Sequence, residues 1–223
     1  SWTDLRGKET GRRIFVLANG PSILEEDLAP LKNEITIGMN ASTILEKKWG
    51  FVTDYYTVSD ERFLNNPAKR KWATNCLNEK TLRIIRADLY DYDCAELREN
   101  TLYARPLSRD GFSQDITRGF YYGSTTTMLA LQLAYYLGSR EIYLIGCDLR
   151  YPPETPRFYH EEKPQVEDSF VSVQISNIVN ASLAFEKAGG ILVNCSERSF
   201  LRPYMEFSKF SDITETNWNV KND

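Results

Sequence analysis

Short apolar runs alternate along this chain with longer stretches of mixed apolar and polar residues, and the runs end on small or polar positions. The run Phe15-Val16-Leu17-Ala18, for example, passes directly into Asn19-Gly20-Pro21-Ser22. Unbroken apolar runs this short are the pattern of strands buried on both faces. Strands are accordingly expected over 13–18, 34–39, 54–58, 81–86, 141–146 and 191–194. Between them a helical period predicts helices from Ser22 to about Leu31, from Ser42 through Trp49, and over 67–79, 128–137 and roughly 169–188. Ser22-Ile23-Leu24-Glu25 has the S-x-x-E spacing of a capping box, and Gly138 and Gly189-Gly190 stand where helices would stop. The stretch 88–123 is rich in Tyr, Asp and Arg and has no clean period. It reads as loops with short helices and, with the polar loop 149–168, as a lid and acceptor region.

Strands that alternate with helices at this spacing imply an α/β fold. The expected architecture is a Rossmann-like, mostly parallel twisted sheet with helices on both faces, in one domain over 1–223. Ligands of such sheets bind beyond the carboxyl ends of the strands, near the point where the strand order reverses. Those ends carry Asn19-Gly20-Pro21-Ser22, Asn40, Ser59-Asp60 and Gly146-Cys147-Asp148, nearly all small or polar, as a ligand cleft requires.

Composition narrows the partners. With 27 Lys and Arg against 31 Asp and Glu, the net charge is −4, which gives no electrostatic footprint for nucleic acid. Hydrophobic residues make up 42% of the 223 positions, enough for a packed core. No apolar run approaches the ~20 residues that span a bilayer. The start, Ser1-Trp2-Thr3-Asp4, has no signal-peptide pattern. The expectation is a cytoplasmic protein, held at the inner membrane face only if flanking segments anchor it; a homo-oligomer is compatible with the sequence. Cys76, Cys94, Cys147 and Cys195 show no C-x-x-C spacing, which suits a reducing compartment without a zinc cluster or disulfide framework.

The candidate chemistry lies at the polar punctuation. Asn19-Gly20-Pro21-Ser22 is either a phosphate cradle at a helix start or a capped turn. Ser124-Thr125-Thr126-Thr127 is either a second such cradle or an ordinary N-cap followed by solvent-facing threonines. Asp148 could accept from a ribose or a base, or serve as a cap or surface ion pair. His160, the single histidine, has the intrinsic pKa of a general base near neutrality, or is incidental. Asp91-Tyr92-Asp93 has the D-x-D form that holds divalent metals in many nucleotide-sugar transferases, and equally the form of a common acidic loop. Among Arg105, Arg109, Arg118, Arg150 and Arg157, one or two could neutralise a departing phosphate.

Two blocks resemble the bacterial sialyltransferases of glycosyltransferase family 42 and the related Maf-type flagellin glycosyltransferases. They are Ala18-Asn19-Gly20-Pro21-Ser22 and the stretch from Gly123-Ser124-Thr125-Thr126-Thr127 through Leu137-Gly138-Ser139-Arg140-Glu141-Ile142-Tyr143-Leu144 to Gly146-Cys147-Asp148. The resemblance implies a metal-independent, inverting transfer of an acidic sugar from a CMP-activated donor to a glycan hydroxyl, with no cofactor besides the donor. It also implies a place in bacterial polysaccharide or lipopolysaccharide assembly. On the family pattern Asn19, Gly20, Pro21 and Ser22 would hold the nucleotide phosphate and ribose. Asn40 would sit beside that phosphate, and Ser59 or Asp60 near the ribose. Ser124, Thr125 and Thr126 would meet sugar or cytosine, and Gly146, Cys147 and Asp148 the nucleoside. His160 would be the base, with Arg150 and Tyr151 or Tyr159 on the leaving phosphate. Ala41 stands where the family often has glutamine, and His160 falls earlier than the family's histidine. Relatives sharing the glycine loop include archaeal-type pterin pyrophosphokinases. That alternative is an ATP- and magnesium-dependent enzyme with Asp60, Asp91, Asp93 and Asp148 as metal candidates; a non-catalytic nucleotide- or glycan-binding domain is a third reading.

Overall fold

In the computed structural model, which describes residues 1–92, 97, 99–162 and 169–215, the strands form one seven-stranded sheet. They are β1 (Ile14–Leu17), β2 (Ile35–Met39), β3 (Tyr55–Val58), β4 (Leu82–Arg86), β5 (Thr101–Ala104), β6 (Glu141–Ile145) and β7 (Ile191–Asn194). The described α-helices are α1 (Trp2–Leu5), α2 (Thr43–Trp49), α3 (Arg62–Asn65), α4 (Pro67–Ala73), α5 (Thr126–Tyr136), α6 (Val171–Lys187) and α7 (Phe210–Glu215). The spatial order is β5-β4-β3-β2-β1-β6-β7, and every neighbouring pair is parallel. The chain adds strands outward from β1 to β5, then returns to the other side of β1 for β6 and β7. The order therefore reverses between β1 and β6. This is the α/β, Rossmann-like sheet expected from the apolar runs.

Alternation along each strand divides the core. Ile14 and Val16 face one layer with Ile35, Ile37, Leu144 and the helices α5 and α6, while Phe15 and Leu17 face the other with Leu45, Tyr143, Ile145 and Phe210. A third cluster, with Tyr56, Val58, Phe63 and Ile85, lies under β3 and β4. The helix α5 is buried along every face except at Tyr135, so it is a core helix rather than an amphipathic surface one. Among the described residues no helix is long and apolar enough to cross a membrane.

Four expectations are corrected. The segment 22–31 is not an α-helix but two short 3-10 helices, Pro21–Glu25 and Ala29–Asn33. Pro30 lacks the N–H a continuous helix would need, and Asp27 instead accepts the Ala29 N–H at 3.0 Å. Ser22 lies inside the first of these turns, whose cap position is Gly20, so the capping box does not form. Secondly, the region read as irregular contains β5, whose Thr-Leu-Tyr-Ala is only partly buried and pairs with β4 alone. An edge strand needs no continuous apolar run, which is why the pattern hid it. Thirdly, α4 stops at Ala73 rather than near Glu79, where Thr74 turns its hydroxyl back to the Arg70 carbonyl at 3.1 Å and Arg83 takes the Ala73 carbonyl at 2.7 Å. Finally, the cap of α5 is Thr125, which accepts the Thr127 N–H at 3.3 Å, not Ser124.

The stretch 109–121 is tied to the helical layer by two side chains. Gln132 accepts the N–H groups of Ser113 (2.8 Å) and Tyr121 (3.0 Å) and donates to the Tyr121 (2.8 Å) and Met128 (2.7 Å) carbonyls. Asn177 accepts the Gly111 N–H (3.0 Å) and donates to Asp110 and the Val173 carbonyl (2.9 Å each).

Candidate functional site

The carboxyl ends of β1, β2 and β6 and the start of α5 meet in one cleft at the reversal of strand order. Its lining includes Asn19 and Gly20 from β1, Asn40 from β2, Thr125 and Thr126 from α5, and Gly146, Cys147 and Asp148 from β6. The loop after β6 adds Arg150 and Tyr151. These residues, with Thr127 and Arg157, were all singled out in the sequence and share one concavity, although they are spread over more than 130 positions.

The turn after β1 is built around Asp148. Its carboxylate accepts the Ser22 N–H at 2.9 Å and the Ser22 hydroxyl, and the Gly20 N–H donates to the Gly146 carbonyl at 2.7 Å. A side chain at Gly20 would overlap the Asp148 carboxylate and come within 2.6 Å of the Gly146 carbonyl. Glycine is therefore required by the close approach of the two strand ends. Ser22 and Pro21 lie outside the lining; Ser22 acts through Asp148 and also meets Ser196 at 3.3 Å. Ser59 stands one layer back in the same way, its hydroxyl 2.9 Å from that of Thr126.

The amide oxygens of Asn19 and Asn40 are buried and have no hydrogen-bond partner among the described residues. A buried polar atom left unpaired costs roughly 1–3 kcal/mol, so two of them in one cleft mark where a ligand's donors fit. Backbone strain gathers in the same place. Asn40, Ser124 and Leu149 take left-handed conformations at φ 54°, 57° and 52°. Asparagine tolerates this, but a leucine held there costs about 1–2 kcal/mol. The Ser124 carbonyl is held by Gln174 at 2.8 Å.

Arginine supplies the positive charge. Arg157, from the loop after β6, lines the cleft with its guanidinium 4.4 Å over the Tyr151 ring. Arg150 lies 4.8 Å over Phe200. No ion pair among the described residues involves either one. Cys147 is buried in the cleft wall, and burial, then the Asp148 charge, pushes its thiol well above the usual range, so it is not a thiolate nucleophile at neutral pH.

Three candidates lie elsewhere. Tyr159 is 8% exposed and packs against Trp72, Phe158 and Phe63, with ring centroids 5.1, 5.3 and 6.3 Å away. Burial, then the charge of Glu161, raises its hydroxyl pKa. His160, its neighbour, points the other way: it is exposed, does not line the cleft and makes no hydrogen bond among the described residues. Asp60 grips Arg62, with N···O distances down to 2.6 Å; burial pushes its carboxyl up, and the Arg62 hydrogen bonds and charge outweigh that and leave it below the ordinary value. Of the D-x-D pair, Asp91 is exposed and Asp93 lies outside the described residues.

Sequence reasoning left Arg157 undistinguished among five loop arginines. No local pattern singles it out: Tyr159 enters the cluster of Phe63 and Trp72 while Arg157, two positions earlier, lines the cleft. The Phe158 N–H bonds the Asn19 carbonyl at 3.1 Å and the Lys69–Glu161 ion pair closes at 2.5 Å, which pins the loop beside the cleft.

Residues 1–154 match the model of a family described as 6-hydroxymethylpterin diphosphokinase MptE-like. No sequence among the curated proteins matches significantly. Among solved structures the chain is similar to the sialyltransferase CstII from Campylobacter jejuni, in complex with a substrate analogue, cytidine-5'-monophosphate. That match has a TM-score of 0.55 at 14% identity, over 89% of this chain and 85% of that one. A Maf glycosyltransferase from Magnetospirillum magneticum AMB-1 matches at a TM-score of 0.58 and 15% identity. It covers 99% of this chain, which spans 40% of that one. At these identities the likeness is one of fold.

Proposed function

This chain belongs to the MptE-like family; because that family's description and this chain's own structural neighbours, CstII and Maf, all concern group transfer, we propose that its cleft binds a nucleotide and transfers what the nucleotide carries. The reading favoured here is an inverting, metal-independent glycosyltransferase that takes an acidic sugar from a CMP-activated donor and passes it to a glycan hydroxyl. The observation that carries it is the pair of unpartnered amides, Asn19 and Asn40, beside two arginines at the reversal of strand order. Ribose hydroxyls or the cytosine amino group supply the donors the amides lack. Arg157 and Arg150 take up the negative charge that grows on the phosphate as the glycosidic bond breaks. Thr125 and Thr126 offer hydroxyls to the sugar, and the clasp of Asp148 on Ser22 keeps the two lips at a fixed separation.

The pterin diphosphokinase reading is favoured by the family's description. Its magnesium would need carboxylates, and the described residues fit it poorly: Asp60 is engaged by Arg62 and Asp148 by Ser22. Among the described residues no three His, Cys, Asp or Glu side chains converge as a metal site. A thermal-shift screen of CMP, CDP, UDP, GDP and ATP, with and without magnesium, separates the two, since a ligand of the folded state stabilises by mass action. CMP alone should raise Tm; a shift confined to ATP with magnesium overturns the sugar-transfer reading.

The same placement divides the catalytic candidates. Arg157→Gln should lower kcat by about 10²-fold, the usual effect of removing one charge-stabilising donor. His160→Ala should stay close to the unsubstituted rate; a loss as large as that of Arg157→Gln would return the histidine to the mechanism.

A further inference from the structure

A second groove begins where the first ends. It is an open depression of about 480 Å³, within the range of small-molecule sites, and Arg150 lines both concavities. The loop after β7 forms its floor with Phe200 and Tyr204, 40% and 59% exposed, and with Arg198 and Arg202. Among the described residues Glu197 is the only carboxylate of its lining. A chain with net charge −4 therefore concentrates three arginines against one carboxylate beside the candidate cleft. Such a local field favours an anionic ligand.

The floor is built onto the cleft. The Phe200 N–H bonds the Asp148 carbonyl at 3.0 Å, the Ser199 hydroxyl bonds the Cys147 carbonyl at 2.6 Å, and the Leu201 N–H closes onto the Ser199 hydroxyl at 3.0 Å. Two residues of the β6 end thus carry both the wall of one concavity and the anchor of the other. Two of the guanidiniums rest on aromatic rings: Arg150 lies over Phe200, and Arg202 lies 3.8 Å over Phe207. Arg198 is only loosely held, 3.8 Å from Glu25. Exposed aromatic faces receive the apolar face of a sugar ring, and a planar guanidinium receives a carboxylate or phosphate in bidentate fashion.

We propose that this groove is the acceptor subsite and that it selects an anionic saccharide, one bearing a carboxylate or a phosphate. The assignment rests on the sugar-transfer reading of the adjoining cleft. A saccharide seated on Phe200 and Tyr204, with its anion on Arg202 and Arg198, presents its far hydroxyl past Arg150 toward the donor.

The test is calorimetric binding of matched pairs: 3'-sialyllactose against lactose, methyl glucuronide against methyl glucoside, and glucose 6-phosphate against glucose, with inorganic phosphate as a bare anion. The charged member of at least one pair should bind tenfold or more tightly than its neutral partner and than phosphate, and the preference should shrink between 50 and 500 mM salt. Arg202→Gln and Tyr204→Ala, both at exposed positions, should each weaken that ligand at least fivefold while CMP affinity is unchanged. Equal affinity within all three pairs, or loss of preference in neither variant, overturns the proposal. If the charged saccharide binds and CMP does not, the nucleotide reading fails while the anionic saccharide site stands. If CMP binds and no pair discriminates, the subsite fails and the cleft stands.

Discussion

Gln132 and Asn177 in the helical layer, and Asn19 and Asn40 at the strand ends, are the same functional group in two settings. Gln132, fully buried, has both donors and both acceptor positions filled by backbone. Asn177, 4% exposed, is bonded through both of its polar atoms. Asn19, 7% exposed, and Asn40 leave their amide oxygens without a partner among the described residues. A saturated amide is a fastener, because removing it strands the groups it served. An unsaturated one holds nothing in the free protein, so its contribution appears only with a ligand. The contrast separates what keeps this molecule folded from what it offers to a substrate.

The largest effect should come from the fastener. Gln132→Ala strands the Ser113 and Tyr121 N–H groups and should cost about 3 kcal/mol in urea unfolding. Asn19→Ala comes next, and in a different currency. The free protein should not be destabilised and should gain up to about 1–3 kcal/mol in urea unfolding, because the unpaired oxygen is removed, while nucleotide affinity by calorimetry falls by about tenfold or more. The contrast breaks if Asn19→Ala destabilises the free protein as much as Gln132→Ala does. The smallest effect concerns Glu46 of α2, which accepts the Thr53 N–H at 3.0 Å with a carboxylate where an amide would serve. Burial raises its pKa, partly opposed by the Thr53 bonds. A carboxyl raised in the folded state gives stability that is fully present below the unfolded pKa of about 4.3 and lost as pH rises through the folded value. Glu46→Gln keeps the acceptor and removes the charge. Its stability curve should be flatter above that point and higher at neutral pH, with Asp54, raised by its own burial, keeping a residual slope. A steeper curve in Glu46→Gln would show that the charge itself is wanted there.

The sheet was legible because its strands are buried on both faces. Six of the expected strands appear within a residue or so of their bounds, and Ile191–Asn194 without any shift. β5 was not legible, since half-buried edge residues carry no such run. The helix expected from Ser22 failed because S-x-x-E records a spacing, while Pro21, Pro30 and the reach of Asp148 across the cleft decide the conformation. Polarity of the strand ends picked out residues that meet in one cleft, Asn19, Asn40 and Gly146-Cys147-Asp148, but equally picked Ser59-Asp60, which lie outside its lining. The loop after β6 was not legible: whether Tyr159, His160 or Arg157 faces the cleft depends on an aromatic cluster assembled from α3 and α4, which no local pattern reports.

The pairing of β1 with β6 has a consequence for assembly. Ile14 sits opposite Ile142, whereas β2 to β5 are each laid against the strand that precedes them. Every other pairing in that half closes a loop of a few dozen residues; this one closes a loop of more than a hundred, at a greater loss of chain entropy. The first five strands can zip in sequence without it, but they carry only one lip of the cleft. The candidate cleft is therefore completed by the longest-range strand pairing of the sheet, and the turn at Asn19 gains its facing lip only once the later part of the chain has come back to meet it.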